Sequence, residues 1–490
     1  MNKPIRTISI FCLLLFLALM LNVTYLQYWR AGALNDDPRN RRVLEASFSS
    51  ERGAILVGRT AIAKSERSDD RYEWQRTYPQ PAKYAHLTGW FSYFSQTGIE
   101  QSQNSVLSGE DERLFVTRLV DLLSNDGTKG GSVQLTIDPD AQTAAFDGLS
   151  ALGDGVEGSV VAIEPSTGKI LAMASLPTYD PNELASHDFG DVADRAEALQ
   201  DREDEPLLNR AIQTRLAPGS TFKLVTAAAA IEELGYDAQS QVPGGATYQL
   251  PQTTGDSGLI DNEGRSCGTD KIPFTQAMAQ SCNTTFAKLA VEVGADAMLD
   301  QAEAFGFNSD YLEDLSPQAQ SNFPKNMNPP ETGQSGIGQF EVQATPLQMA
   351  MVSAAIANGG TVMRPYVVDA ILTPELAPLP KTDPEEISQA VSASTADVIT
   401  DLMVETVSNG TANPAAIPGY DVAGKTGTAQ SGVEGQAPYA WFTSFAPAED
   451  PEVAVAVMLQ KVPGRATDEI AGGALGGPIA KAVMEAVIDP

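Results

Sequence analysis

Cysteine and histidine are scarce in this chain of 490 residues, which has three cysteines and two histidines. Cys12, Cys267 and Cys282 show neither Cys-x-x-Cys nor zinc-ligand spacing, which argues against a structural zinc site and a dithiol redox centre. His86 and His187 have no nucleophile motif beside them, which argues against a Ser-His-Asp triad. We therefore expect no metal, no cofactor and no catalytic histidine.

Basic residues are also few, with 32 Lys and Arg against 63 Asp and Glu and a formal net charge of −31. Binding to phosphates requires a basic face, so nucleic acid is not expected as a partner. The sequence has no internal repeats and no low-complexity runs. With 42% hydrophobic residues it can bury ample cores, and its length indicates more than one folded part.

The longest apolar run spans residues 8–26 and is interrupted by only three polar residues. Its length is about that needed to cross a bilayer. The aromatic residues that follow it are typical of a membrane interface. We predict that residues 1–30 form a cytoplasmic tip and a retained transmembrane anchor. A cleaved signal peptide is the alternative, because the small residues at 31–33 would permit cleavage.

Residues 31–150 are polar and β-rich, and they contain no convincing nucleophile or metal cluster. The pieces at 52–57 and 133–137 are typical of short strands. Asp138 and Pro139 then resemble an N-cap and first-turn pair, which predicts a helix at the end of the segment. We interpret the segment as a non-catalytic pedestal or dimerisation domain.

The pattern changes after residue 150. The predicted elements are strands at 159–163 and 169–174, several helices including an apolar one at 345–358, strands near 421–430, 440–446 and 453–459, and a closing helix at 477–486. Two strands, many helices, three strands and a last helix indicate an antiparallel sheet sandwiched by helices. Residues 151–490 are therefore predicted to form one α+β domain.

The stretch 216–234 predicts a helix that runs through the core of this domain, because it is apolar nearly all round after a Pro-Gly breaker. Lys223 lies near the N-terminus of that helix, where burial would disfavour its charged ammonium form and lower its pKa. Ser220 precedes Lys223 by three positions, so the hydroxyl and the amine share one helix face. This is the geometry of a nucleophile with its own base.

Ser-x-x-Lys also occurs at Ser166 and Lys169, and a motif this short is expected to recur by chance in a long chain. The second match lies in Glu-Pro-Ser-Thr-Gly between two β-rich runs, which is typical of a turn. We therefore interpret only the Ser220 match as catalytic.

A second motif, Ser281-x-Asn283, begins a mostly helical apolar run. Taken alone, Ser281 is better explained as a helix cap. The third motif is Lys425-Thr426-Gly427 in a predicted strand, where the lysine could be a solubilising residue at a sheet edge. Lys-Thr-Gly occurs once in the chain.

The three motifs follow one another at spacings of 61 residues (281 − 220) and 144 residues (425 − 281). In this order, and placed on helix, helix and strand, they resemble those of the penicillin-binding proteins and serine β-lactamases. The anchor, the pedestal and the length make the chain similar to class B penicillin-binding proteins, above all their actinobacterial members. The resemblance covers nearly the whole chain and includes Arg52-Gly53, Gly98-Ile99-Glu100 and residues 333–339. One departure is Tyr439, where relatives often have histidine, and it concerns the rim of the site.

The resemblance implies a D,D-transpeptidase that cross-links peptidoglycan stem peptides through a serine acyl-enzyme and is acylated by β-lactam antibiotics. In that reaction Ser220 attacks the carbonyl of D-alanyl-D-alanine, and Lys223 accepts its proton. Ser281, Asn283 and Lys425 shuttle a proton to the leaving D-alanine and hold the stem peptide.

Substrate binding is assigned by the same resemblance to Thr426, Gly427 and Thr428, next to Lys425. The backbone N–H groups of Ser220 and Thr428 would form the oxyanion hole. Three rival functions differ from this one. A D,D-carboxypeptidase has the same site and another acceptor, a β-lactam sensor binds without turnover, and a β-lactamase needs a hydrolytic water but no pedestal.

The resemblance further implies a single-pass protein of the cytoplasmic membrane with its catalytic domain outside the cell. The implied partners are the lipid-linked peptidoglycan precursor and a separate SEDS-family membrane glycosyltransferase. In that oxidising compartment Cys267 and Cys282 could form a disulfide. Cys282 could equally be a small buried residue within its motif, and the sequence leaves both possibilities open.

Overall fold

The N-terminal segment is a long helix. The computed structural model describes residues 3–30, 34, 48–115, 129–432 and 435–488. Lys3–Thr24 is α-helical and Tyr25–Trp29 continues the helix as a π-helical turn. The combined segment is long and apolar enough to cross a membrane, and none of its residues is buried. The alternative cleavage site at 31–33 lies outside the described residues.

Short strands and helices follow one another along the rest of the described chain. The strands are β1 Ile55–Val57, β2 Thr60–Arg67, β3 Trp74–Thr77, β4 Ser132–Leu135, β5 Glu157–Ile163, β6 Ile170–Leu176, β7 Gln241–Pro243, β8 Thr247–Gln249, β9 Leu259–Asp261, β10 Lys271–Pro273, β11 Thr361–Met363, β12 Val368–Leu372, β13 Pro378–Lys381, β14 Glu386–Gln389, β15 Ala423–Ala429, β16 Tyr439–Ala446 and β17 Val453–Lys461. The helices are Pro81–Thr88, Gly98–Ser102, Asn104–Leu107, Pro139–Ser150, Pro181–Leu184, Phe189–Gln200, Arg210–Gln213, Lys223–Leu234, Phe274–Ala279, Asn283–Val293, Ala295–Ala304, Pro329–Ser335, Pro346–Ala357, Ala393–Asn409 and Gly472–Ile488.

A five-stranded antiparallel sheet in the order β15-β16-β17-β5-β6 forms the centre of the C-terminal part. Successive side chains of a strand point to opposite faces. In β17, Ala454, Ala456 and Met458 belong to the core that includes the Pro346–Ala357 helix. The alternate valines of β17 belong to a second core with the Gly472–Ile488 helix. The predicted α+β domain, an antiparallel sheet between helices, is confirmed.

Two predicted features lie at their predicted positions, and one predicted helix begins earlier than expected. Asp138 caps the Pro139–Ser150 helix by accepting from the N–H groups of Asp140 and Ala141. Ser166 and Lys169 stand at the turn between β5 and β6, as expected for the chance match. The closing helix begins at Gly472, five positions before the predicted start at 477.

A second sheet, in the order β13-β12-β4-β1-β2-β3, holds the N-terminal part together. Strand β4 pairs in parallel with β1 and antiparallel with β12. The β12–β13 hairpin, residues 368–381, thus belongs to the sheet of the N-terminal part. In sequence it lies far beyond the domain boundary predicted at residue 150. The two parts of the chain share one sheet.

Glu100 is buried in the N-terminal part between two arginines. Its carboxylate lies 2.6 Å from Arg52 Nε and 2.6 Å from Arg76 Nε. Burial disfavours the charged form of this carboxylate and would raise its pKa. The charges of Arg76 and Arg52 outweigh that effect and hold the Glu100 pKa below its ordinary value. The residues of the resemblance at 52 and 100 thus form one buried ion cluster.

Candidate active site

Ser220 lies in a 3₁₀ turn, Gly219–Phe222, directly before the Lys223–Leu234 α-helix. The sequence predicted one continuous helix, and the first turn is wound more tightly than that. In a 3₁₀ turn the residues i and i+3 lie one above the other, so Ser220 and Lys223 share a side of the turn. The helix ends at Gly235, which has a left-handed backbone with φ 70°.

Two glycines allow strand β15 to lie against the Ser220 turn. Gly219 has φ 53°, and a β-carbon there would lie 2.7 Å from the carbonyl oxygen of Thr428. A β-carbon at Gly427 would lie 2.9 Å from the carbonyl oxygen of Pro218. Both distances are too short for any side chain. The glycine of Lys-Thr-Gly therefore permits the close approach of the strand to the Ser220 turn.

Lys223 is fully buried, and its Nζ donates hydrogen bonds into the second motif. It lies 2.8 Å from the carbonyl oxygen of Ser281, 3.2 Å from Ser281 Oγ and 2.7 Å from Asn283 Oδ1. Among the hydrogen bonds of the described residues, none joins Lys223 to Ser220 Oγ. The Lys223 amine is therefore held in place by hydrogen bonds to residues of the second motif.

Ser281 adopts a left-handed backbone with φ 54°, which is uncommon for a residue other than glycine and is typical of functional sites. The following helix begins at Asn283, and its N-cap position is Cys282. The alternative interpretation of Ser281 as the helix cap is therefore wrong. Its hydroxyl instead accepts hydrogen bonds from Lys223 and Lys425.

Lys425 is also fully buried, and it completes the cluster from strand β15. Its Nζ lies 2.8 Å from Ser281 Oγ and 2.9 Å from the carbonyl oxygen of Thr426. The side chain of Thr428 is exposed. The hydroxyl of Thr426 already bonds to that of Thr411 at 2.7 Å. Strand alternation places both threonine side chains on the face opposite Lys425.

The two lysines have strongly perturbed acid–base properties. Burial lowers the pKa of Lys223 well below its ordinary value, and the cations of Lys425 and Arg265 lower it further, while the Glu263 carboxylate opposes them. Burial and Arg265 also lower the pKa of Lys425. The lowered pKa predicted for Lys223 is confirmed. A lower pKa increases the neutral fraction of a lysine, and the neutral amine is the form that can accept a proton.

The loop 261–267 also contributes to the site, which sequence reasoning missed. The carbonyl oxygen of Asp261 accepts from Asn283 Nδ2 at 3.0 Å. Cys267 is joined by a disulfide to Cys282, with 5.9 Å between their Cα atoms, so the open question about these cysteines is answered. The pair of cysteines was the one signal in the sequence that could have brought this loop to the second motif.

Neither histidine lies in this cluster. His86 is buried and its Nε2 lies 2.9 Å from the carbonyl oxygen of Pro206, and burial lowers its pKa to about 4. His187 bonds to Asp70. In the described part of the chain, no group of three or more His, Cys, Asp or Glu residues is placed to hold a metal ion.

Two family models match the chain. One describes the penicillin binding protein transpeptidase domain and matches residues 158–485, and the other describes the penicillin binding protein A dimerisation domain and matches residues 52–133. The first model spans the sheet and all three motifs, and the second spans strands β1 to β3 and Glu100.

Named proteins are similar over the full length. The chain is 42% identical over 493 residues to peptidoglycan D,D-transpeptidase PbpA of Mycolicibacterium smegmatis, an alignment that covers 100% of this chain and 99% of that protein. It is 40% identical over 495 residues to PbpA of Mycobacterium tuberculosis, with the same coverage of 100% and 99%. The fold is similar to penicillin-binding protein A from M. tuberculosis in its ceftriaxone acyl-enzyme complex, with TM-score 0.83, 38% identity, and coverage of 91% of this chain and 100% of that one.

Proposed function

The chain belongs to the penicillin-binding proteins as a peptidoglycan D,D-transpeptidase, and on that basis we propose that Ser220 is its nucleophile and Lys223 its base. The observation that carries this assignment is the hydrogen-bonded chain Lys223–Ser281–Lys425 behind the Ser220 turn. Three motifs that are 61 and 144 residues apart in sequence (281 − 220 and 425 − 281) thus form one polar cluster around a buried amine.

The hydrogen bonds of Lys223 support its proposed role as the base. A neutral amine has two N–H donors and one lone pair. The donors are used by the two shortest contacts, to the Ser281 carbonyl oxygen at 2.8 Å and to Asn283 Oδ1 at 2.7 Å. In this neutral form the lone pair is available to the Ser220 hydroxyl proton, and the hydrogen bond to Ser281 Oγ at 3.2 Å uses the third N–H that the amine gains when it takes that proton. Burial and the neighbouring cations favour this neutral form.

Acylation then proceeds with its atoms balanced. Ser220 Oγ forms a bond to the carbonyl carbon of D-alanyl-D-alanine, and the bond between that carbon and the terminal D-alanine nitrogen breaks. The proton taken by Lys223 passes through Ser281 Oγ to the leaving amine. The amine of a second stem peptide reverses these steps and releases the cross-linked product. A β-lactam enters by the same attack on its ring carbonyl.

The charge on the carbonyl oxygen would be stabilised by the N–H groups of Ser220 and Thr428, one at the start of a helix and one on an edge strand. Thr426, Gly427 and Thr428 would hold the carboxylate that stem peptides and penicillins share, and the buried Lys425 would supply positive charge from the other face of β15. The exposure of Thr428 on β15 supports this assignment.

The organisation of the whole chain is proposed in the same way. Residues 1–30 would anchor the protein in the cytoplasmic membrane, residues 31–150 would form the pedestal, and residues 151–490 would catalyse the reaction outside the cell. A SEDS-family membrane glycosyltransferase would supply the glycan strands. The long apolar helix Lys3–Trp29 supports the anchor.

The test uses the detergent-solubilised full chain with labelled penicillin, and separately with a D-Ala-D-Ala donor and an amine acceptor. A transpeptidase labels covalently and forms the donor–acceptor product. A carboxypeptidase would release D-alanine without that product, a sensor would label without turnover, and a β-lactamase would hydrolyse penicillin rapidly. Any of these three results would overturn the proposal.

A further inference from the structure

The helix that carries Asn283 lacks a cap of its own. The first N–H groups of any helix need acceptors from elsewhere, and the N-cap side chain usually supplies one. In this helix the N-cap is Cys282, which is used in the disulfide and makes no capping hydrogen bond. The position that would normally stabilise the helix start is therefore occupied by a covalent crosslink.

Asn262 supplies the missing acceptor from a separate loop. Its Oδ1 accepts from the backbone N–H of Thr284 at 3.0 Å and lies 3.2 Å from Thr284 Oγ1, across 22 positions of sequence. Asn262 is only 2% exposed, and its Nδ2 donates to the carbonyl oxygen of Gly245 at 2.8 Å. The amide is thus buried and bonded at both ends.

Asp261, the residue before Asn262, forms a further hydrogen bond to Asn283 of the second motif. The carbonyl oxygen of Asp261 accepts from Asn283 Nδ2 at 3.0 Å, and Asn283 Oδ1 accepts from Lys223 Nζ at 2.7 Å. Two consecutive residues, Asp261 at the end of β9 and Asn262 after it, therefore hold two consecutive helix residues. Any shift of the helix start would move the Asn283 amide away from the amine of Lys223.

We propose that Asn262 is a positioning residue of the transpeptidase site: it caps the Asn283 helix from a distance and so holds the Asn283 amide against Lys223. The inference rests on the proposed roles of Lys223 and Asn283. Asn262 acts through these residues and touches no reacting atom. The disulfide alone restricts the distance between two backbone segments, whereas these hydrogen bonds also set the direction of the helix start.

The central comparison is between Asn262→Ala and Ser392→Ala in the full chain. Ser392 caps the Ala393–Asn409 helix by accepting from Thr395 N at 3.2 Å, so each change removes one cap. Both variants should unfold at a lower temperature. Asn262→Ala should also lower the second-order rate constant of penicillin acylation by about 10-fold to 100-fold, the size of effect seen when a hydrogen-bond partner behind a metal ligand is removed. Ser392→Ala should acylate at the wild-type rate.

Two further variants separate positioning from general destabilisation. Asn262→Asp keeps the Oδ1 acceptor but loses the Nδ2 donor to the Gly245 carbonyl oxygen, so it should acylate faster than Asn262→Ala and more slowly than the wild type. Its rate is measured on the high-pH plateau, because the added charge favours protonated Lys223. Thr284→Val removes the hydroxyl, which donates to the Gly245 carbonyl oxygen at 2.9 Å, but keeps the backbone N–H bond to Asn262, so it should lose less of the acylation rate than Asn262→Ala. Asn262→Ser, whose side chain is too short to replace the Asn262 amide, takes the place of Asn262→Ala if that variant does not fold. Wild-type acylation in the Asn262 variant that folds would overturn the positioning role, as would equal rate losses in that variant and Ser392→Ala. Ser220→Ala, run in the same assay, tests the proposed function separately.

Discussion

Lys425 Nζ lies 2.8 Å from Ser281 Oγ, although the two residues are separated by 144 positions of sequence. This contact links the strand edge to the second motif, and the Ser281 hydroxyl also accepts from Lys223 at 3.2 Å. The serine hydroxyl therefore connects two buried amines whose pKa values are both lowered. On the proposed roles of these residues, the Ser281 hydroxyl would pass the proton from Lys223 to the leaving group.

The first prediction concerns the nucleophile. Ser220→Ala should abolish covalent labelling by penicillin, because the variant loses the hydroxyl that stands three positions before Lys223, on the same side of the turn. Ser166→Ala is the matched control, since Ser166 belongs to the second Ser-x-x-Lys match and lies at the β5–β6 turn. It should label like the wild type in a gel assay. Labelling that persists in Ser220→Ala would refute the assignment.

The second prediction concerns pH dependence. Arg265 lowers the pKa of Lys223, so Arg265→Gln should raise that pKa. The base works unprotonated, and the rise of acylation with pH should therefore move to higher pH. Glu263 acts in the opposite direction, so Glu263→Gln should move the rise to lower pH.

Acylation rates measured from acid to alkaline pH give both midpoints, and Arg265→Lys, which keeps the charge, serves as the control. Because Arg265 Nε also donates to the carbonyl oxygen of Asn262 at 2.9 Å, the plateau rate can fall in Arg265→Gln without bearing on the prediction. Midpoints that stay at the wild-type value in both charge-removing variants would show that these charges do not act on the base.

The third prediction concerns the substrate carboxylate. Thr428→Val removes an exposed hydroxyl and nearly preserves the shape of the side chain. A lost charge-assisted hydrogen bond costs about 1.5 to 3 kcal/mol, so acylation by carboxylate-bearing β-lactams should slow by about 10-fold to 150-fold. The melting temperature should stay near the wild-type value. Thr428→Ser retains the hydroxyl and should remain active; a fast Thr428→Val enzyme would place the carboxylate elsewhere.

The fourth prediction tests the close approach of β15 to the nucleophile turn. A β-carbon at Gly427 would lie 2.9 Å from the Pro218 carbonyl oxygen and 3.0 Å from Trp441 Cβ. Gly427→Ala should therefore destabilise the fold by about 1 to 3 kcal/mol, as overpacking does, and slow acylation. Gly190→Ala is the control, because its nearest neighbour would be Asp188 Oδ1 at 3.5 Å. Denaturant unfolding measures the stability of both variants, and penicillin labelling measures their acylation rates. Equal stabilities and equal rates in Gly427→Ala and Gly190→Ala would contradict the prediction.

The fifth prediction concerns the disulfide between Cys267 and Cys282. Alkylation of the denatured chain without reductant should add one label, at Cys12, and alkylation after reduction should add three. Closing a loop of 15 residues stabilises a fold by about 3 kcal/mol in the chain-entropy model, so reductant should lower the melting temperature. Three labels without reductant would exclude the bond.

Much of this protein could be predicted from local sequence. The apolar run and the breakers predicted the helix after Ser220, the Asp138 cap predicted the Pro139–Ser150 helix, and the order of strands and helices predicted the sheet between helices. These features depend on neighbouring residues, whose propensities and caps act over a few positions. The resemblance carried by three short motifs then indicated the residues of the site.

Tertiary structure alone decided the rest. The left-handed backbone of Ser281 and the hairpin 368–381 in the N-terminal sheet depend on partners far away in sequence. Gly427 looks like any strand glycine until Pro218 is seen against it. Asn262 lies in a polar stretch without a motif and gains its role only because folding brings it to Thr284. Contacts of this kind leave no periodicity or cap signal in the chain, since they arise from the packing of whole elements, and one sequence does not record which elements meet.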